Sequence, residues 1–241
     1  MDVNAMEPYG QALLDYLHGD VSANVVVHRD DGYTGDMAAS IYFRKLSDFS
    51  HLERTAMKLC RGDVLDIGAG AGCHSLALQD QGMRVLAIDV SPQAIEIMVK
   101  RGVKDVLCVD VFEFHEKRFD TLLMMLHGIG MVQTLSGLDH FLRHAHRLLL
   151  PDGQILFDSL DVRCTDDPRH LAYQEANRRA GHYFGEIRMQ FEYKGKTGPL
   201  FGWLHVDPET LTDHAGQSGW FCELVYWEDG GDYLAQLTPA G

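Results

Sequence analysis

VLDIGAGAGCHSL, residues 64–76, decides how the rest of the chain is read. Val64, Leu65 and Ile67 make a short apolar strand that Asp66 interrupts near its end. Glycines then alternate at Gly68, Gly70 and Gly72, and helical character resumes from His74. A strand, a tight glycine turn and a helix in that order form the nucleotide-binding corner of a doubly wound α/β sheet. Glycine is required there because the turn visits positive φ and because a ligand lies against bare backbone.

The neighbours of the turn narrow the choice of ligand. A dinucleotide fingerprint places glycine at its first, third and sixth positions, so that a pyrophosphate sits on the helix N-terminus. Counted from Gly68, the third position is Gly70 but the sixth is Cys73. Asp66, a carboxylate two residues before the first glycine, repels a pyrophosphate and suits a ligand carrying an ammonium and a sulfonium. S-adenosylmethionine is such a ligand. The segment resembles motif I of the class I S-adenosylmethionine-dependent methyltransferases, an acidic residue followed by GxGxG.

Composition is that of an ordinary soluble globular protein. The chain has 241 residues, enough for a full core, and a net charge of −14. So acidic a balance argues against a nucleic-acid backbone or an anionic membrane as partner, because both select basic surfaces. The five cysteines (Cys60, Cys73, Cys108, Cys164 and Cys222) are scattered and never form a C-x-x-C pair, which points to buried thiols in a reducing compartment. No basic start with an apolar core opens the sequence, and the expectation is a cytoplasmic protein, monomer or homodimer.

Residues 8–17 read as a short amphipathic helix, 25–27 as a strand, and Ser47 as the N-cap of a helix through Cys60. Regular alternation follows, with strands over 64–67, 85–88, 106–109, 121–126 and 155–157. Ser91-Pro92 opens one intervening helix and residues 136–150 form another, stopped by Pro151-Asp152-Gly153. Apolar strands alternating with helices imply a parallel sheet covered on both faces. Asp207-Pro208 starts a further helix, and residues 221–227 and 233–237 pair across Asp229-Gly230-Gly231. By subtraction, residues 161–206 are an insertion, with a helix near 171–178 and a hairpin of 187–193 with 200–206 turning at 195–198.

The expected fold is therefore α/β: a doubly wound, mainly parallel seven-stranded sheet with a helix-plus-hairpin insertion after the fifth strand, Rossmann-like as the resemblance implies. The division expected is an N-terminal helical segment over the cofactor site (1–60), a core of 61–160 with 207–241, and a lid of 161–206 over the substrate. The resemblance covers residues 61–159 well and the closing strands loosely.

Three successive strands end in Asp66, Asp89 and Asp110, which brings three carboxylates to the edge where doubly wound folds bind ligands. Asp89 follows the first glycine at the distance expected of a ribose-binding acid. The resemblance implies that Asp110 accepts the adenine amino group with Val111 beside the ring, and that Asp66 reaches the methionine ammonium. It also implies that Gly68, Ala69, Gly70, Val90 and Leu126 surround the cofactor, with Tyr42 and Phe43 candidates to cover it. The Asp/Asn-Pro-Pro-Tyr motif of nucleobase and amide methylation is absent, which with the acidic charge points to a small-molecule acceptor.

His127, after the fourth strand, is the candidate general base for a hydroxyl nucleophile, its ordinary titration lying near neutrality. Tyr183, Trp203 and His205 are candidates for the substrate wall, with Trp203 and His205 on one face by alternation. His140 and His144 have a metal-compatible spacing but lie opposite the apolar face of their helix, and no metal is expected. The reading is a methyltransferase acting on an oxygen or nitrogen of a small molecule. A non-catalytic S-adenosylmethionine-binding protein is the alternative, and a nicotinamide-dependent oxidoreductase is disfavoured by Cys73 and Asp66.

Overall fold

The structure is a computed structural model that describes residues 2–241. The chain enters through α1 (Glu7–Leu17) and strands β1 (Asn24–Arg29) and β2 (Thr34–Ala38), then two 3-10 turns and α2 (His51–Leu59). Next come β3 (Asp63–Ile67), α3 (Cys73–Asp80), β4 (Arg84–Asp89), α4 (Pro92–Arg101), β5 (Asp105–Cys108) and β6 (Phe119–Met124). α5 (Leu135–Leu148) runs directly into β7 (Leu149–Leu160). α6 (Pro168–Arg179), β8 (Glu186–Tyr193), β9 (Lys196–Thr197) and β10 (Phe201–Leu204) precede α7 (Pro208–Gln217), β11 (Trp220–Trp227) and β12 (Asp232–Pro239).

Seven strands form the central sheet in the order β11-β12-β7-β6-β3-β4-β5. From β7 to β5 the pairs are parallel, and β12 runs antiparallel to both of its neighbours. This is the doubly wound, Rossmann-like sheet expected, and its order reverses at β3, where the glycine turn sits. Phe141, Leu142 and Leu148 of α5 pack with Phe119, Phe157 and Leu237 of the strands, all fully buried. Each such side chain contributes about 1.5–3 kcal/mol by leaving water.

A second sheet, absent from the sequence reading, has the order β10-β8-β1-β2 with β9 on β8. It joins the N-terminal hairpin to β8 and β10, with Val27 opposite Phe191 and Met189 opposite Phe201. The N-terminal segment is thus partly β rather than helical, because the β-branched run Val25-Val26-Val27 finds a partner far along the chain. The chain after β8 turns at Lys194-Gly195, both at positive φ, so that Tyr193 pairs with Lys196. That is the two-residue geometry favoured by the twist of a hairpin, and it lies just before the turn expected at 195–198.

Three boundaries shift for local reasons. Helix α2 starts three residues later than expected: Ser50, not Ser47, accepts the Glu53 N–H at 3.1 Å while the Glu53 carboxylate accepts the Ser50 N–H at 2.8 Å. That reciprocal pair is a capping box. Thr134 rather than Ser136 caps α5, accepting the Gly137 N–H at 3.1 Å. Pro151-Asp152-Gly153 does not separate α5 from the next strand but forms the irregular start of β7, where the register with β6 shifts.

Candidate functional site

The turn between β3 and α3 takes positive φ at Gly68 (71°) and Gly70 (56°). A side chain at Gly68 would run into Met131, and one at Gly70 into the Tyr9 hydroxyl. The backbone therefore lies bare at the end of a cavity of about 290 Å³ above the carboxyl ends of β3, β4 and β6.

Asp66, Gly68, Ala69, Asp89, Val90, Asp110, Val111, Leu126 and His127 line that cavity, together with Tyr42, Trp203 and His205. The structure thus gathers most of the residues singled out by sequence around one space. Gly70 is the exception on the turn, since its N–H points to Asp89 Oδ2 at 2.9 Å. Asp89 Oδ1 accepts the Ser91 N–H at 2.8 Å, which holds the carboxylate rigid at the start of α4. Asp66 accepts a hydrogen bond from the Ser75 hydroxyl at 2.5 Å. Both carboxyls are buried, and burial raises their affinity for a proton. Among the described residues neither pairs with a Lys or Arg. Asp110 sits past the end of β5 and accepts the Phe112 N–H at 3.0 Å.

Tyr9 and Tyr42 stand over the glycine turn with their rings edge to face, 5.1 Å apart. Phe43 lies elsewhere, its ring against Tyr16 and the Arg101 guanidinium, because the 3-10 turn over Ala39–Phe43 sends adjacent side chains in different directions. Tyr183 is likewise corrected. It faces neither the glycine turn nor His127, for its hydroxyl donates to Asp207 Oδ2 at 2.6 Å and accepts the Asp207 N–H at 2.8 Å. It fastens the cap of α7.

His127 follows Leu126, both at positive φ, in the bend after β6. Its backbone N–H donates to Asp158 Oδ2 at 3.0 Å and its Nε2 lies 2.7 Å from Asp232 Oδ1. Burial opposes the imidazolium, but the Asp232 hydrogen bond and the Asp158 charge prevail and hold the pKa above its ordinary value. A carboxylate at the start of β12 thus shifts this imidazole upward from the ordinary titration near neutrality. His205 stands edge to face with it, ring centres 5.3 Å apart. Burial, reinforced by the His127 charge, pushes the His205 pKa down to about 3, so this ring is neutral.

Sequence reasoning missed Asp232 and Tyr9, and also Met6, Met37, Met131 and Met189, which supply flexible apolar wall. None carries a local motif. His144 turns its Nε2 to the carbonyls of Val111 and Phe114, at 2.9 and 3.2 Å. Among the described residues no helix is long and apolar enough to cross a membrane.

A family model described as a methyltransferase domain matches residues 65–157. The solved structure of an S-adenosylmethionine-dependent methyltransferase from Bacteroides fragilis, in complex with S-adenosyl-L-homocysteine, is 35% identical, with a TM-score of 0.87. That comparison covers 100% of this chain and 98% of the other. A demethylmenaquinone methyltransferase of Tropheryma whipplei (strain Twist) is 29% identical over 116 residues, 44% of this chain and 47% of that protein. A cypemycin N-terminal methyltransferase from Streptomyces sp is 30% identical over 119 residues, 46% of this chain and 48% of that one. The chain thus spans about half the length of the curated relatives it matches.

Proposed function

Since this chain belongs to the class I S-adenosylmethionine-dependent methyltransferases, we propose that it transfers the methyl group of S-adenosylmethionine to an oxygen or nitrogen of a small molecule. The observation that carries the assignment is the pair of buried carboxylates, Asp66 and Asp89, which line a cavity beside bare glycine backbone and, among the described residues, pair with no Lys or Arg. A ligand bearing an ammonium and ribose hydroxyls meets both, and a pyrophosphate meets neither.

Asp89, with one lone pair of each oxygen still available, accepts the ribose hydroxyls. Asp66 faces the ammonium. Asp110 and Val111 hold the adenine, and Ala69, Val90 and Leu126 fill the apolar wall around it. Tyr42 closes the turn. S-adenosylmethionine, when bound, would supply a methyl group already activated on a sulfonium, the bonding pair remaining with the sulfur. The protein supplies alignment. For a hydroxyl acceptor, the His127–Asp232 pair takes the proton, the imidazole receiving it and the carboxylate steadying the imidazolium. The second sheet and α6 act as the lid over the acceptor, and the acidic surface disfavours nucleic acid as that acceptor.

Calorimetry with S-adenosylmethionine, S-adenosylhomocysteine and the two nicotinamide dinucleotides tests the reading. The first two bind and the last two do not. Asp89→Ala weakens S-adenosylhomocysteine binding by about 1.5–3 kcal/mol, the worth of hydrogen bonds to a charged acceptor. Unchanged affinity in that variant would remove Asp89 from the ribose.

A further inference from the structure

Behind the first cavity lies a second, of about 390 Å³, between the second sheet and α6. Val27, Met189 and His205 line both, so the two chambers share one wall. The first, at about 290 Å³, is at the lower limit of what a drug-sized ligand needs. S-adenosylmethionine fills it, and an acceptor has to reach the methyl group from the far side of the shared wall.

The second chamber's own polar groups are already satisfied. Arg29 is buried and forks onto Asp31 with two bonds of 2.8 Å, sandwiched by the rings of Tyr33 and Tyr173. Asp161 is paired with Arg163 at 2.7 Å. The Tyr173 hydroxyl donates to Asp30, and the Gln174 amide donates to the Val162 carbonyl. What is left facing the space is ring and aliphatic surface, including Phe184 and Ile187. A charged guest would shed its hydration there and find no free opposite charge.

The shared wall is different. His205 Nδ1 is buried without a hydrogen-bond partner, one of two such side-chain atoms among the described residues. The other, Asp158 Oδ1, belongs to a residue that lines neither chamber. An unmet buried nitrogen is costly unless a ligand's donor meets it. The ring is neutral, and in the tautomer that carries its proton on Nε2 the Nδ1 atom accepts.

We propose that the second chamber is the methyl-acceptor subsite, that it takes an uncharged aromatic molecule, and that an acceptor O–H or N–H other than the one His127 deprotonates donates to His205 Nδ1 at the shared wall. The assignment rests on the methyltransferase reading above. His205 is a positioning residue in it, holding the reacting group beside the first cavity and the His127 ring.

The test uses the full chain saturated with S-adenosylhomocysteine and four probes: naphthol, methoxynaphthalene, naphthoate and a trimethylated naphthylammonium. Naphthol binds alongside S-adenosylhomocysteine, and both charged probes bind at least tenfold more weakly. Methoxynaphthalene, which lacks the donor, loses up to about tenfold, and that difference disappears in His205→Ala. Ile187→Trp and, from a different element, Thr165→Trp fill the chamber and weaken naphthol at least tenfold while S-adenosylhomocysteine affinity stays within twofold. The retained affinity certifies that the variants fold. Displacement of naphthol by S-adenosylhomocysteine, equal binding of the charged probes, or indifference to both tryptophans overturns the subsite. Failure of the wild-type chain to bind S-adenosylhomocysteine overturns the methyltransferase reading instead.

Discussion

Two histidines 5.3 Å apart are driven in opposite directions by their neighbours. His127 gains a carboxylate, Asp232, and holds its proton more tightly than an ordinary imidazole. His205 gains only burial and the neighbouring charge, and stays neutral. A general base must be neutral to act, and the neutral fraction of His127 grows as pH rises through its folded pKa. With that pKa raised, the rising limb of turnover against pH lies above the ordinary value of 6.5. Asp232→Asn removes the partner charge while Asp158 remains, and the limb moves down. A limb that stays in place, or moves up, takes the pair out of the mechanism. His127→Gln lowers turnover on a hydroxyl acceptor at least tenfold with cofactor affinity nearly constant, whereas equal turnover leaves alignment as the enzyme's contribution.

Helix α2 depends on one buried acid. Glu53 closes the capping box with Ser50, forks onto Arg44 at 2.7 and 2.9 Å and lies 3.0 Å from the His74 ring on α3. Burial opposes its charge, but the hydrogen bonds from His74, Ser50 and Arg44 together with the His74 charge outweigh it and bring its pKa down to about 2. Since the folded value lies below the ordinary 4.5, this contribution is present above pH 4.5 and is lost as pH falls through about 2. Glu53→Gln leaves Arg44 and His74 without their anion and lowers unfolding free energy at neutral pH by about 3 kcal/mol. Urea denaturation measures it, and a loss below about 1 kcal/mol would show that the cap, not the charge, matters. Strand β10 depends on its neighbours in another way. Trp203 lies so close to Gly130 that a methyl group added there would strike the indole. Gly130→Ala therefore displaces this wall of the cavity, at about 1–3 kcal/mol of stability, and weakens S-adenosylhomocysteine binding in the same calorimetric titration. Unaltered affinity would separate Trp203 from the cofactor side.

At the scale of the molecule, the central sheet presents the cofactor cavity and the second sheet roofs it. Beyond β10 the chain is tied to the core by the Tyr233 hydroxyl on the Val206 carbonyl at 2.6 Å and the Val206 N–H on Ser159 at 3.2 Å. Layers outside the central sheet open locally before it does. Hydrogen exchange of β8, β10 and α6 is expected to slow when cofactor and acceptor are both bound, with β3 and β6 unchanged. Equal slowing by cofactor alone would mean that this layer does not respond to the acceptor.

The sequence by itself determined the parts whose physics is local. The glycine turn with Asp66, the carboxylates within two residues of successive strand ends, the Ser91-Pro92 and Asp207-Pro208 helix starts, and the alternation that puts Trp203 and His205 on one face were all legible, because each is set by spacing along a few residues. Only the tertiary structure decided the rest. The second sheet pairs β1 with β8, strands separated by most of the chain, and no period in either one names its partner. Asp232 meets His127 across 105 residues, so the shift in that imidazole had no signal nearby. Tyr183 went to Asp207 because a buried hydroxyl takes the partner that packing brings it. Local chemistry thus selected the cofactor, while long-range pairing shaped the chamber in which the acceptor is to be sought.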